Sequence, residues 1–396
     1  MLLSLALICI AAVTVSWLCQ KGGLPKIIGF LLVGMLLGPY VGNWIDRSLL
    51  DNSADIRKIA LIIILIKAGL TIKLSDFKSI GRSAVLMSFL PACAELVGYT
   101  LFAPLFFDLS YGEAALMGSV MAAVSPAVVV PCMVDLIENK VGHEKKIPQL
   151  ILAGASFDDV VVIVLFTAFL SLVQKGDFQV LSLVNIPLTI LTSMLVGVLA
   201  GLAFARFLKT IRQSDSLPPI YQYLLLFSLS FLLATIEARY ANQFPFSGLL
   251  AILVATMVVN RQALPVEVAG FAGFFSRLWV IGEIFLFALV GSIVDISYVA
   301  VAGLPALGLI ALTLVIRSLG VWLSVSGNGF SKWEKLFCVI AYLPKATVQA
   351  AIGGIPLATG LATGQLILSV AVLGILVTAP LGAILLDRFG KELLEK

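Results

Sequence analysis

The chain has 396 residues, of which 60% are hydrophobic and 12% charged, with 26 Lys and Arg against 22 Asp and Glu. Soluble domains carry roughly 25% charged residues, so this composition and a mean hydropathy of +1.10 exclude a soluble enzyme or binding module and indicate an all-α polytopic membrane protein. The net charge of +4 is ordinary for a protein with one basic membrane face, and no nucleic-acid partner is implied.

Apolar runs of about 17 to 25 residues, enough to cross roughly 30 Å of hydrocarbon as a helix, recur from end to end. Alternating ten-residue strands are absent from the sequence, which argues against a barrel. About thirteen spans are predicted, at 2–19, 26–39, 56–73, 83–107, 113–137, 147–173, 181–208, 218–238, 245–260, 274–294, 299–324, 333–357 and 363–386. The first run has no basic residue before it and Lys21 and Lys26 after it. That is the reverse of a signal peptide, so it is read as a retained span.

Eighteen Lys and Arg residues fall on one side of these spans and five (Arg47, Arg57, Lys58, Lys175, Arg239) on the other. Positive charge concentrates in cytoplasmic loops, which places the N-terminus outside and the C-terminus in the cytoplasm of a multi-pass cell (inner) membrane protein. The five cysteines are scattered among apolar segments and read as small packing residues. The only histidine, His143, lies in a polar run. Little material exists for a His-based metal site or a catalytic triad, and no enzyme or cofactor is expected.

Three basic residues remain inside the spans. Lys67 lies close to the cytoplasmic end of span three, where it can snorkel. Arg317, in the middle of span eleven, and Lys345, in span twelve, cannot be placed that way. An internal symmetry accounts for them. Glu95 in span four matches Arg317 in depth, and the proline-broken Ser125-Pro126-Ala127-Val128-Val129-Val130-Pro131 of span five matches Leu343-Pro344-Lys345-Ala346-Thr347 of span twelve. Two inverted six-helix repeats joined by a linker helix produce that spacing, with crossed discontinuous helices near the midplane and helix breaks at Pro126, Pro131 and Pro344. Glu95 and Arg317 are expected to pair, because each alone is a costly buried charge. A charge-swapped double variant should then recover the folding lost in either single variant.

Asp158 and Asp159 place two adjacent carboxylates inside an apolar helix, and an intramembrane acid marks a functional site. Neighbouring residues on a helix point about 100° apart, so one acid can meet a fixed cation while the other exchanges a proton for a metal ion. Ser125, Ser156 and Thr347 offer neutral oxygens, the opened backbone offers carbonyls, and Lys345 is placed to neutralise those dipoles or to pair with an aspartate.

These passages, with Gly29-Phe30-Leu31-Leu32-Val33-Gly34-Met35-Leu36-Leu37-Gly38-Pro39, resemble the monovalent cation/proton antiporter superfamily, and most closely its NHA-type sodium/proton antiporters. The resemblance implies exchange of protons for sodium or lithium, with Asp159 the main cation and proton carrier and Asp158 its partner. It also implies a homodimer and an elevator-like displacement of a core. On that pattern the domains are a dimerisation panel (1–82 and 214–294), a core (83–173 and 295–396, with a short cytoplasmic C-terminus) and a linker helix (174–213). Many superfamily members with paired aspartates present a lysine where Arg317 stands, and arginine is not deprotonated in proteins. The alternative reading is a sodium-coupled symporter of a small organic anion on a related inverted-repeat fold. An intramembrane aspartyl protease lacks its GxGD pattern here, and an ATP-driven pump lacks its phosphate loop.

Overall fold

The structure, a computed structural model, describes residues 1–71, 82–142, 144–174, 185–214, 217–240 and 246–395. Among them are eighteen helices and no strand: α1 (Leu2–Lys21), α2 (Lys26–Leu37), α3 (Arg47–Asp51), α4 (Ser53–Thr71), α5 (Arg82–Met87), α6 (Leu90–Phe106), α7 (Tyr111–Met121), α8 (Pro126–Glu138), α9 (Ile147–Gln174), α10 (Asn185–Ser214), α11 (Pro219–Tyr240), α12 (Gly248–Gln262), α13 (Pro265–Ser292), α14 (Ile296–Ser324), α15 (Lys332–Ala341), α16 (Thr347–Ile352), α17 (Ile355–Ala358) and α18 (Gly364–Glu395). His143, the end of the predicted span 56–73 with most of the predicted loop 74–82, and most of the predicted loop 174–180 with the start of the predicted span 181–208 lie outside the described residues.

Every predicted span overlaps helix, but among the described residues only eight helical stretches are long and apolar enough to cross a membrane, alongside four shorter apolar helices. The differences have local causes. Span three corresponds to α4, which carries Asp55, Arg57, Lys58 and Lys67 and is less apolar than its neighbours. Span four is interrupted at Ser88–Phe89, where Pro91 in the first turn of α6 follows a Phe89 with φ −140°. Spans five and twelve are broken, the first between α7 and α8 and the second between α15 and α16. Pro126 opens α8 and holds Ser125 extended, at φ −94° and ψ 108°, as a residue before proline should be. Pro131 is a correction to the sequence reading: it lies inside the continuous helix α8, not at a break. Its missing N–H would have bonded the Ala127 carbonyl in the first turn, so only one helical bond is forgone.

The residues form two compact units, one of Met1–Arg57, Leu74–Val162 and Ile284–Lys396, the other of Lys58–Lys73 and Ile163–Glu283. Apolar side chains gain little by leaving lipid, so helices in membranes associate through close backbone approach at small residues. In the first unit Gly29 of α2 faces the Ser16 backbone of α1, Gly34 faces the backbone of Ala288, and Gly320 of α14 lies against Pro91 of α6, with 3.0 Å from its built Cβ position to the Pro91 Cα. Val124, Val129, Ile151, Phe337, Tyr342 and Leu386 belong to one buried apolar cluster of this unit. In the second unit Gly197 and Gly201, one helical turn apart on α10, meet the carbonyls of Ala251 and Ala255 on α12. Tyr223 there stacks edge-on against Phe271 with ring centroids 4.9 Å apart.

Candidate functional site

The two helix breaks meet. Ser125 lacks a helical acceptor because the chain opens before Pro126, and its N–H donates instead to the Pro344 carbonyl at 2.8 Å. Gln349 of α16 ties the same region from the other side. Its Nε2 donates to the carbonyls of Ala123 at 2.9 Å and Met121 at 3.3 Å, while its Oε1 accepts from the Ala346 N–H at 2.9 Å. Backbone groups left over by opening a helix must be satisfied in a low-dielectric interior. Here one buried amide satisfies three of them.

Helix α9 carries the paired aspartates to this junction. Asp158 is fully buried; its Oδ2 accepts from the Val124 N–H at 2.8 Å and from Arg317 Nη2 at 3.1 Å. Arg317 is buried as well and reaches four partners. Its Nη1 pairs with Glu95 Oε2 at 2.8 Å and with the Ala122 carbonyl, and its Nε donates to the Tyr342 carbonyl at 2.8 Å. The Arg317 guanidinium carbon also sits 5.4 Å from the Tyr342 ring centroid. Lys345, fully buried, extends its Nζ to Glu95 Oε2, and its N–H donates to Thr378 Oγ1 at 2.8 Å. Glu95 therefore holds two cations, and Lys345 bonds neither aspartate among the described residues.

Glu95 and Asp158 balance Arg317 and Lys345. Asp159 is a fifth group with no counter-charge in this network. Among the described residues its Oδ1 is buried without a hydrogen-bond partner, as are Asp158 Oδ1 and Ser125 Oγ. Three unsatisfied oxygens at one junction are an unfavourable arrangement alone, and they are the ligand type that hard cations take. Thr347 is buried at the start of α16, and among the described residues no hydrogen bond joins its hydroxyl to either aspartate. Ser156 lies on α9, two residues before Asp158. Sequence reasoning did not single out Gln349, Tyr342 or the Val124 N–H. For Gln349 the available signal was an amide three residues past a break in an apolar run.

An all-helical membrane fold with a buried, charge-balanced network and one excess carboxylate defines a class of ion-handling membrane proteins. The particular family follows from comparison. Residues 6–391 match the family model described as "Sodium/hydrogen exchanger, transmembrane", and the chain belongs to that family. It is 33% identical over 385 residues to sodium/hydrogen exchanger 9B2 of Homo sapiens, covering 94% of this chain and 70% of the relative. It is 34% identical over 393 residues to the Xenopus tropicalis protein of the same name, covering 93% and 69%. The fold matches the sodium proton antiporter MjNhaP1 from Methanocaldococcus jannaschii with a TM-score of 0.82 at 21% identity, over 99% of this chain and 97% of that one. These relatives are named as transporters, and the sodium-coupled symporter alternative is not favoured.

Proposed function

We propose that this protein is a secondary active antiporter that exchanges protons for sodium, with lithium as a second cargo, and that it is neither an enzyme nor dependent on a cofactor. Membership of the exchanger family and the printed names of its relatives support the exchange. The observation that carries the reading is the division of labour between neighbours. Asp158 is anchored by Arg317 and the Val124 N–H, whereas among the described residues Asp159 Oδ1 has no hydrogen-bond partner. Asp159 is then the group that trades a proton for sodium, with Asp158, Ser125, Ser156 and Thr347 supplying further oxygens. Opposite charge favours the ionised carboxylate and burial favours the neutral one, so sodium and the proton compete for one site.

In this reading Glu95, Arg317 and Lys345 are the fixed charges around the site. Arg317 holds Asp158 ionised and does not itself cycle, because a guanidinium keeps its proton. The broken helices around Pro126 and Pro344 cross within two inverted six-helix repeats, among thirteen spans. The core, 83–173 and 295–396, moves as an elevator against a dimerisation panel, 1–82 and 214–294, with 174–213 as linker, in a homodimer whose N-terminus is outside and C-terminus cytoplasmic.

Liposomes with an imposed pH gradient and an internal pH dye test the exchange. Sodium or lithium should dissipate the gradient, choline should not, and Asp159→Asn should abolish the response. Folded wild-type protein that dissipates nothing with any of these cations between about pH 6 and 9 would refute the proposal.

A further inference from the structure

Tyr342 closes α15 at the edge of the second helix break. Its N–H donates to the Val339 carbonyl at 3.0 Å, its carbonyl accepts from Arg317 Nε at 2.8 Å, and its ring centroid lies 5.4 Å from the Arg317 guanidinium carbon. The side chain is fully buried. Its hydroxyl is directed at α9: a Cβ built on Gly154 would overlap that hydroxyl and stand 3.5 Å from Tyr342 Cζ. None of the contacts that fix the residue uses the hydroxyl, which has no hydrogen-bond partner among the described residues.

Gly154 lies one helical turn before Asp158. Positions four apart share a helix face, with Cβ atoms about 5 to 6 Å apart, and a helical side chain leans over the turn before its own Cα. The Asp158 carboxylate and the Tyr342 hydroxyl therefore lie over the same turn of α9. Asp158 uses Oδ2 for Arg317 and the Val124 N–H, while its Oδ1 has no partner among the described residues. The ionisable groups within electrostatic reach of the hydroxyl are Asp158, Arg317, Cys338 and Asp159. A buried hydroxyl left unpaired is unfavourable, and phenylalanine would keep the ring and the backbone contacts without it. A phenolic oxygen can accept as well as donate, and neutral oxygens beside carboxylates are the ligands that hard cations take.

We propose that the Tyr342 hydroxyl is a neutral ligand for the transported sodium, facing Asp158 Oδ1 over the turn Gly154–Asp158. This role rests on the exchange reading above and brings to the site a ligand from the second broken span. Tyr342→Phe deletes only the oxygen. In liposomes its sodium KM should rise by about fivefold, the order of one polar contact, with the maximal rate at saturating sodium changed by less than about twofold. In detergent, sodium should raise the unfolding midpoint of the wild type relative to choline, and the variant should need about fivefold more sodium for the same rise. Its midpoint in choline should match that of the wild type. A phenol keeps its proton between about pH 6 and 9, so the factor in KM should be the same across that range. An unchanged sodium requirement overturns the proposal. So does a collapse of the midpoint in choline, which makes the hydroxyl structural, or a rise in KM confined to acid pH, which assigns the hydroxyl to the proton. Wild-type protein without sodium-dependent exchange refutes the exchange reading and this role with it, whereas wild-type exchange with an unaltered KM in Tyr342→Phe refutes the ligand alone.

Discussion

Arg317 Nη2 lies 3.1 Å from Asp158 Oδ2, and this contact separates two carboxylates that are adjacent in the chain. Asp158 is a member of a network, whereas Asp159 is not. Asp159→Asn should therefore abolish sodium-dependent proton movement while leaving the unfolding midpoint unchanged or raised, because it removes a buried charge that has no partner. Asp158→Asn keeps an acceptor for the Val124 N–H but removes counter-charge from Arg317, and should lower stability by about 1 to 3 kcal/mol. Thermal unfolding of both variants beside liposome transport checks the pair. Equal losses of stability would mean that the aspartates are not so divided.

The Glu95–Arg317 contact behaves differently from an isolated pair. Glu95 Oε2 also holds Lys345, and Arg317 also holds Asp158. In a Glu95→Arg, Arg317→Glu double variant the new arginine meets Lys345 and the new glutamate meets Asp158. The swap should fail to restore folding, contrary to what pairing alone implies. Glu95→Gln leaves two buried cations facing each other and should cost about 3 to 5 kcal/mol. Glu95→Gln combined with Lys345→Met removes one of those cations and should recover much of it. Expression and unfolding midpoints in detergent distinguish these outcomes.

Depth was enough to bring Glu95 and Arg317 together on paper, because both sit in the middle of apolar spans and neither can reach water. The broken helices were legible for the same kind of reason, since a proline before an apolar run cannot continue a helix. What could not be read was which acceptor each charge takes. Lys345 is equally close in sequence to carbonyl ends and to a break, and only the folded geometry puts its ammonium on Glu95. Pro131 looked like a break because prolines interrupt helices, but five residues after Pro126 it falls where a single lost bond is tolerated. Gln349 was invisible as a tie between breaks because its partners, Met121 and Ala123, offer only backbone carbonyls.

If sodium and the proton share Asp159, their competition has a sign. Lowering the pH protonates the carboxylate and removes the ligand, so the apparent KM for sodium should rise as pH falls, by about tenfold per unit once the proton dominates. Maximal rate at saturating sodium should change less over the same interval. Initial rates at a series of sodium concentrations and pH values measure this directly. A KM independent of pH, with activity still dependent on Asp159, would place the proton elsewhere.

Lys145 Nζ bonds Glu334 Oε2 at 2.7 Å and the Gly329 carbonyl at 3.0 Å, while Glu334 also caps α15 by accepting from the Ser331 N–H at 2.6 Å. The lysine is 39% exposed and the glutamate 11%, so the two ends of one ion pair should not be equivalent. Lys145→Ala should cost at most about 1 kcal/mol, as exposed pairs do. Glu334→Ala loses the capping box as well and should cost about 1 to 2 kcal/mol. Urea or thermal unfolding of the two single variants orders them, and a larger loss for Lys145→Ala would show that the bridge outweighs the cap.

Gly154 lies on α9 one turn before Asp158, and the Tyr342 hydroxyl occupies the space that a side chain there would need. That hydroxyl is buried and makes no hydrogen bond among the described residues. Gly154→Ala must displace either the tyrosine, whose carbonyl also holds Arg317, or α9 with its two aspartates. Overpacking of this kind typically costs about 1 to 3 kcal/mol. Tyr342→Phe alone removes a group without a partner and should be nearly neutral. In combination with Gly154→Ala it should recover part of the loss, the remainder reflecting Met87, whose Cβ stands 2.9 Å from the built position. A double-mutant cycle on the unfolding midpoint yields the coupling, expected to be stabilising by about 0.5 to 2 kcal/mol. Additive effects would mean that Gly154 is needed for a contact other than the tyrosine hydroxyl.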